Sequence, residues 1–211
     1  MANPYDKAIP KQPIGAGLEI TMTDDPTAGA SCFIKVSAQS NVKAVAGKIA
    51  HSCRDGEPPA ALCIGANSIN QAVKAICIAR GYLADDSIDL SFQPAFRDMD
   101  RTRASVALYM SKAVGVRDPL HAYDVELPVS GHTTPAVTAG ALAARIRENK
   151  SVCLTAIGVD AVANAVLAVG NARLYLEENK MDVRIHPEFV IVKKDGRDLN
   201  AVRLGLSAET I

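Results

Sequence analysis

Side chains able to do covalent or metal chemistry are few in this chain and poorly grouped. Four histidines (His51, His121, His132, His186) and five cysteines (Cys32, Cys53, Cys63, Cys77, Cys153) are scattered over 211 residues. No cysteines form a C-x-x-C pair, no histidines an H-E-x-x-H helix pair, and no P-loop or Ser-His-Asp grouping is visible. Catalysis therefore has no support in the sequence, and neither a cofactor nor a metal is expected. The thiols lie in apolar surroundings, which predicts buried free cysteines in a reducing compartment, the cytoplasm by default. Ile64-Gly65-Ala66-Asn67 leads from a strand into a helix start, a place where a phosphate or carboxylate can sit. The other glycines of a dinucleotide fingerprint are absent, and a tight turn plus a capping side chain accounts for these residues. Gly15-Ala16-Gly17 is a weaker instance.

Composition narrows the classes further. Hydrophobic residues make up 48% of the chain and charged residues 22%, enough for a core and against global disorder. No apolar run reaches the length of a membrane span, and MANPYDKAIPKQP lacks the apolar region of a secretory signal, so no membrane partner is expected. Basic and acidic residues balance at 23 each. A protein that coats nucleic acid non-specifically is usually strongly basic, and this one is not.

Self-comparison supplies the architecture. A shift of 93 positions aligns Val36–Phe96 with Val129–Phe189 without a gap. Val36-Ser37 meets Val129-Ser130, Ala46-Gly47 meets Ala139-Gly140, and Ile64-Gly65 meets Ile157-Gly158. Ala72-Val73, Ala79-Arg80 and Tyr82-Leu83 meet Ala165-Val166, Ala172-Arg173 and Tyr175-Leu176. Asp89, Pro94 and Phe96 meet Asp182, Pro187 and Phe189. One register holding so many matches is a duplication.

Each copy reads as strand, helix, strand, helix, strand, strand. Phe33–Val36 and Val125–Val129 are the first strands. Asn41 and Thr134-Pro135 mark the start of the first helix, and the second is expected to begin at Asn67 and Asp160 with those side chains as caps. The last two strands are predicted at Ile88–Phe92 and Ser105–Tyr109, and at Val183–Ile185 and Ala201–Leu206. A charged hairpin joins each pair, the second turning at Asp195-Gly196. Two helices on a four-stranded sheet make a two-layer α/β sandwich. The domain reading is residues 1–31 as an extended, proline-containing arm with one candidate strand at Leu18–Thr23, 32–113 as module one, 114–123 as linker and 124–211 as module two. Gly47 and Gly140, inside the first helices, cost about 1 kcal/mol relative to alanine and suggest close approach of packed backbone. Arg80 and Arg173 are expected to pair with Asp89 and Asp182.

Copy one resembles the stage V sporulation protein S family through IKVSAQSNVKAVAGKIA at 34–50, IGANSINQAVKAICIARGYLA at 64–84 and IDLSFQPAF at 88–96. Copy two resembles a diverged member that has lost the lysines of helix one. The family is similar in fold to the archaeal chromatin protein Alba, which implies tandem Alba-like βαβαββ modules that self-associate as an intramolecular pseudo-dimer, without catalysis. In Alba-like modules nucleic acid would meet lysines near the first strand–helix junction and basic residues on the last hairpin. That implies Lys35, Lys43, Lys48, Arg97, Arg101 and Arg103 in copy one, and Lys193, Lys194 and Arg197 in copy two. Copy one, over Cys32–Ala113, has 10 basic and 7 acidic residues, and copy two, over Asp124–Ala208, has 10 of each.

Two functions follow. One is a structural adaptor in a larger assembly, such as a cytoskeletal or ciliary one, with the arm as a contact for protein partners. The other is an Alba-type binder of DNA or RNA. Neutral charge and the lost lysines of copy two favour the adaptor.

Overall fold

The computed structural model describes residues 32–97, 104–115 and 122–211. The arm with its candidate strand Leu18–Thr23, the tip of the first hairpin and most of the linker lie outside the described residues.

Copy one runs β1 (Phe33–Val36), α1 (Val42–Asp55), β2 (Ala60–Ile64), α2 (Ala66–Tyr82), β3 (Ile88–Phe96) and β4 (Ser105–Val114). Copy two repeats the order as β5 (Val125–Val129), α3 (Pro135–Arg147), β6 (Val152–Ala156), α4 (Val159–Leu176), β7 (Met181–Lys194) and β8 (Arg197–Thr210). The predicted βαβαββ topology holds in both halves. Asn41 caps α1 as expected, its Oδ1 accepting from the Ala44 N–H at 3.0 Å. Thr134 takes the same extended place before α3, with Pro135 at the first helical position, but its side chain makes no capping bond.

The second helices start differently from the expectation. Their caps are Gly65 and Gly158, at φ 84° and 96°, and Asn67 and Asp160 fall inside the first turn. The chain reverses sharply from strand to helix there, and only glycine adopts such a φ without strain. The Ser68 hydroxyl donates to the carbonyls of Ile64 and Gly65 at 2.7 and 2.9 Å, tightening that turn.

All eight strands form one sheet in the order β1-β2-β4-β3-β7-β8-β6-β5. Alternate side chains face the core beneath the helices: Ile34 and Val36, Ala61 and Cys63, Leu90 and Phe92, Val106 and Leu108, with their counterparts in copy two. The intervening positions carry Lys35, Asp89, Gln93, Tyr109, Arg184 and Arg203. In the helix layer α2 packs against both α1 and α4, and α4 against both α2 and α3, so α1 and α3 are outermost.

The expected close approach at Gly47 and Gly140 is not found. Both are exposed, with no atom within 4 Å of where a Cβ would stand. Cys63 and Cys77 are buried as expected, but Cys32 is exposed, because it leads into an edge strand. The two sheet edges carry different residues at the aligned position, Lys35 on β1 and Pro128 on β5. Val125 directs its N–H toward β6, so by alternation Pro128 presents its missing N–H outward.

Candidate nucleic-acid interface and the seam between the copies

Lys35 lies exposed on β1, and Lys43 and Lys48 are exposed on α1. Arg97 follows β3 and is half-buried, its Nε without a hydrogen-bond partner. Arg101 and Arg103 lie outside the described residues. Lys193, Lys194 and Arg197 stand exposed at the tip of the second hairpin, where Asp195 and Gly196 take φ 52° and 73°. Positive φ at both central residues is what a two-residue hairpin turn requires, as Asp195-Gly196 predicts. Register then separates the two groups. Val36 aligns through Cys63 and Val106 with Phe96, placing the lysines of copy one toward its own hairpin. Because β3 and β7 run antiparallel, the second hairpin leaves in the opposite direction. The described basic residues of the two copies therefore lie toward opposite ends of the sheet.

A buried polar cluster lies between the copies. Strands β3 and β7 pair through Phe92 and Ile185, which are aligned positions of the repeat. An approximate two-fold axis therefore passes beside them, and contacts come in reciprocal pairs. Arg80 holds Asp89 in a bidentate pair at 2.7 and 2.9 Å and donates across the seam to the Pro187 carbonyl at 2.5 Å. Arg173 holds Asp182 at 2.7 and 2.9 Å and donates across to the Pro94 carbonyl at 2.7 Å. A strand residue directs its N–H and C=O to the same side, so both prolines turn their missing N–H into the seam. The ladder cannot continue past them, and an arginine takes the carbonyl instead.

The expected Arg–Asp pairs are thus present, and each also ties one copy to the other. Gln93 adds bonds from copy one to Asp182 and Glu209, both at 2.9 Å. Arg184 donates to Glu209 at 3.0 Å and across to Ser111 at 2.8 Å. His186, aligned with Gln93, brings Nδ1 to 3.6 Å from Asp89 and Nε2 to 3.0 Å from the Ser207 hydroxyl. Burial alone would raise the Asp89 carboxyl, but hydrogen bonds and charge from His186 and Arg80 hold it well below the ordinary carboxylate range.

A second reciprocal feature escaped the sequence reading although the repeat register contains it. Arg54 bonds Asp86 and the Tyr82 carbonyl, both at 2.8 Å, and aligned Arg147 bonds Asn179 and the Tyr175 carbonyl at 2.7 and 2.6 Å. Each ties the end of the first helix of its copy to the end of the second.

Burial pushes the thiols up, Cys53 and Cys153 to about 11 and Cys63 to about 12. They are protonated at neutral pH and are poor nucleophiles. Among the described residues no group of three or more His, Cys, Asp or Glu is placed to hold a metal, and no helix is long and apolar enough to cross a membrane.

The chain is thus a mixed α/β protein of two like halves that share one eight-stranded sheet. Residues 32–111 and 125–209 each match the stage V sporulation protein S family, and the two segments coincide with the two copies. The chain belongs to that family.

Proposed function

We propose that this chain is a non-enzymatic adaptor subunit of a larger assembly, such as a cytoskeletal or ciliary one, in a reducing cytoplasmic setting. The contrast between the two outermost helices carries the reading. The exposed face of α1 presents Lys43, Ala44, Gly47, Lys48 and His51, and the aligned face of α3 presents Ala136, Val137, Gly140, Ala141 and Ala144. Val137 is 73% exposed. Lysines that keep one face in water have become alanines on the other, leaving a smooth uncharged surface of the kind that packs against protein. The seam holds both faces in a fixed relation, as an adaptor requires, and the arm of residues 1–31 offers a further contact.

The test is to isolate the native assembly with Ala136→Lys/Ala141→Lys, or with residues 1–31 deleted. Each change should release the chain while its melting temperature stays within a few degrees of the parent. Retention of both variants at parental levels would overturn the reading.

The exposed cluster Lys193, Lys194 and Arg197 favours a second reading, an Alba-type contact with DNA or RNA. Replacing Arg97, Arg101, Arg103, Lys193, Lys194 and Arg197 with glutamine would then weaken binding and flatten its salt dependence. Replacing Lys43 and Lys48 would have a smaller effect, since copy two lacks their equivalents. Tight binding by the intact chain at about 150 mM salt, where exposed charges are substantially screened, would displace the adaptor reading.

A further inference from the structure

The seam between the copies has the reciprocal form of an interface between separate molecules, and its geometry makes no use of the covalent link. Arg80 to Pro187 and Arg173 to Pro94 are the same contact made twice, and Gln93 and His186 each approach the aspartate of the opposite copy. What closes the seam within one chain is linker length. Val114 ends β4 at the level of Ile88, and Val125 begins β5 at a level that runs through Val152, Leu206 and Ile185 to Phe92. β4 and β5 stand five strands apart in the sheet. At about 4.8 Å per strand and 3.4 Å per residue, the gap is roughly 24 Å across and roughly 13 Å along, or about 27 Å on the diagonal.

Eleven residue steps from Val114 to Val125 reach at most about 37 Å. A linker of that length can cross the gap with about 10 Å in hand. Near its end Tyr123 is laid on the uncovered face of the sheet over Gly205, where a Cβ would overlap its hydroxyl. Gly205 aligns through the sheet register with Tyr109 of copy one (Phe96 opposite Val106, Phe189 opposite Val202), so the linker tyrosine stands where copy one has its own.

We propose that the seam is an exchangeable interface, closed within one chain because the linker is long enough to cross the gap, and that its alternative occupant is the complementary half of a second copy of this chain. Two chains exchanging halves form both reciprocal locks with no new contact, a low-cost route to a dimer.

Deleting residues 116–121 tests this on the whole chain. Five residue steps reach about 18 Å, short of the gap, so closure within one chain is lost while both seam surfaces remain. Light scattering on the eluted protein should give twice the mass of the shortened chain, which is a little below the 22.2 kDa of the intact one. Arg80→Ala/Arg173→Ala in the shortened chain should abolish that dimer, and a linker lengthened by six Gly/Ser residues should leave the parent monomeric. A shortened chain that is folded and monomeric would overturn the proposal. Should it fail to fold, the intact chain refolded from urea at high concentration decides: a dimer fraction rising with concentration supports exchange, and its absence refutes it.

Discussion

The inner and outer parts of the two copies differ in how well their aligned residues agree. Along the seam the reciprocal lock is the same in both copies, Arg80 and Arg173, Asp89 and Asp182, Pro94 and Pro187, while Gln93 against His186 and Ser91 against Arg184 differ around it. On the outer helices the aligned residues differ, Lys43 and Lys48 standing against Ala136 and Ala141. The inner residues serve a contact that each copy makes with the other, so a change on one side leaves a buried partner unsatisfied on the opposite side. The outer residues are exposed, and no such reciprocal contact constrains them.

The strongest way to break this comparison is at the arginines. Arg80→Ala and Arg173→Ala each leave a buried aspartate without its cation and a proline carbonyl without its donor. Each should cost about 3–5 kcal/mol in urea unfolding, because an orphaned buried charge is penalised far beyond the worth of the pair. Similar losses are expected for both; a loss at only one site would show that the two-fold relation is geometric and not energetic.

Acid should give a smaller effect with a definite sign. The folded state holds Asp89 well below its ordinary value of 3.8. Its contribution is fully present above about pH 4 and is lost as pH falls through the folded value. Urea midpoints measured from pH 5 down to pH 2.5 should fall, and Asp89→Asn should flatten that fall.

Gly205→Ala sharpens the contrast on the uncovered face. A side chain there overlaps the Tyr123 hydroxyl, so a loss of about 1–3 kcal/mol is expected. Tyr123→Ala in the same chain should recover part of it, giving a non-additive double-mutant cycle. The smallest effect has the opposite sign. Gly47→Ala and Gly140→Ala place a methyl in open space on an exposed helix and should each stabilise by about 0.5–1 kcal/mol.

Much of the fold was legible because it rests on local chemistry. The repeat register, the Asn41 cap, Pro135, the Asp195-Gly196 turn and the Arg–Asp pairs all depend on residues near one another in sequence or fixed by the shift between copies. What was missed depends on distant surroundings. Strand β3 is expected at Ile88–Phe92 and runs on to Phe96; Pro94 fits within it because its missing N–H faces a seam where no ladder bond is needed. The cross-seam bonds of Arg80 and Arg173 could not be read from one copy alone. Among the candidate contact residues that the structure describes, their types give the charge but not their separation to opposite ends of the sheet, which follows from strand direction. The start of the second helices was misplaced by taking Asn67 and Asp160 as caps, when the positive φ of the preceding glycine decides where the helix begins.

The unlike ends of the sheet, Lys35 on β1 and Pro128 on β5, bear on how this protein can be built into anything larger. A sheet with two bare margins is a template for endless strand-by-strand growth, the route to fibres. Here one margin is guarded by a cation that a stacking neighbour would have to desolvate, and the other by a residue with no hydrogen to give. Lateral polymerisation is thereby blocked at both ends, by different means. Contacts with other molecules are then left to surfaces other than the sheet edges, such as the helix layer, the uncovered sheet face, the arm or the seam.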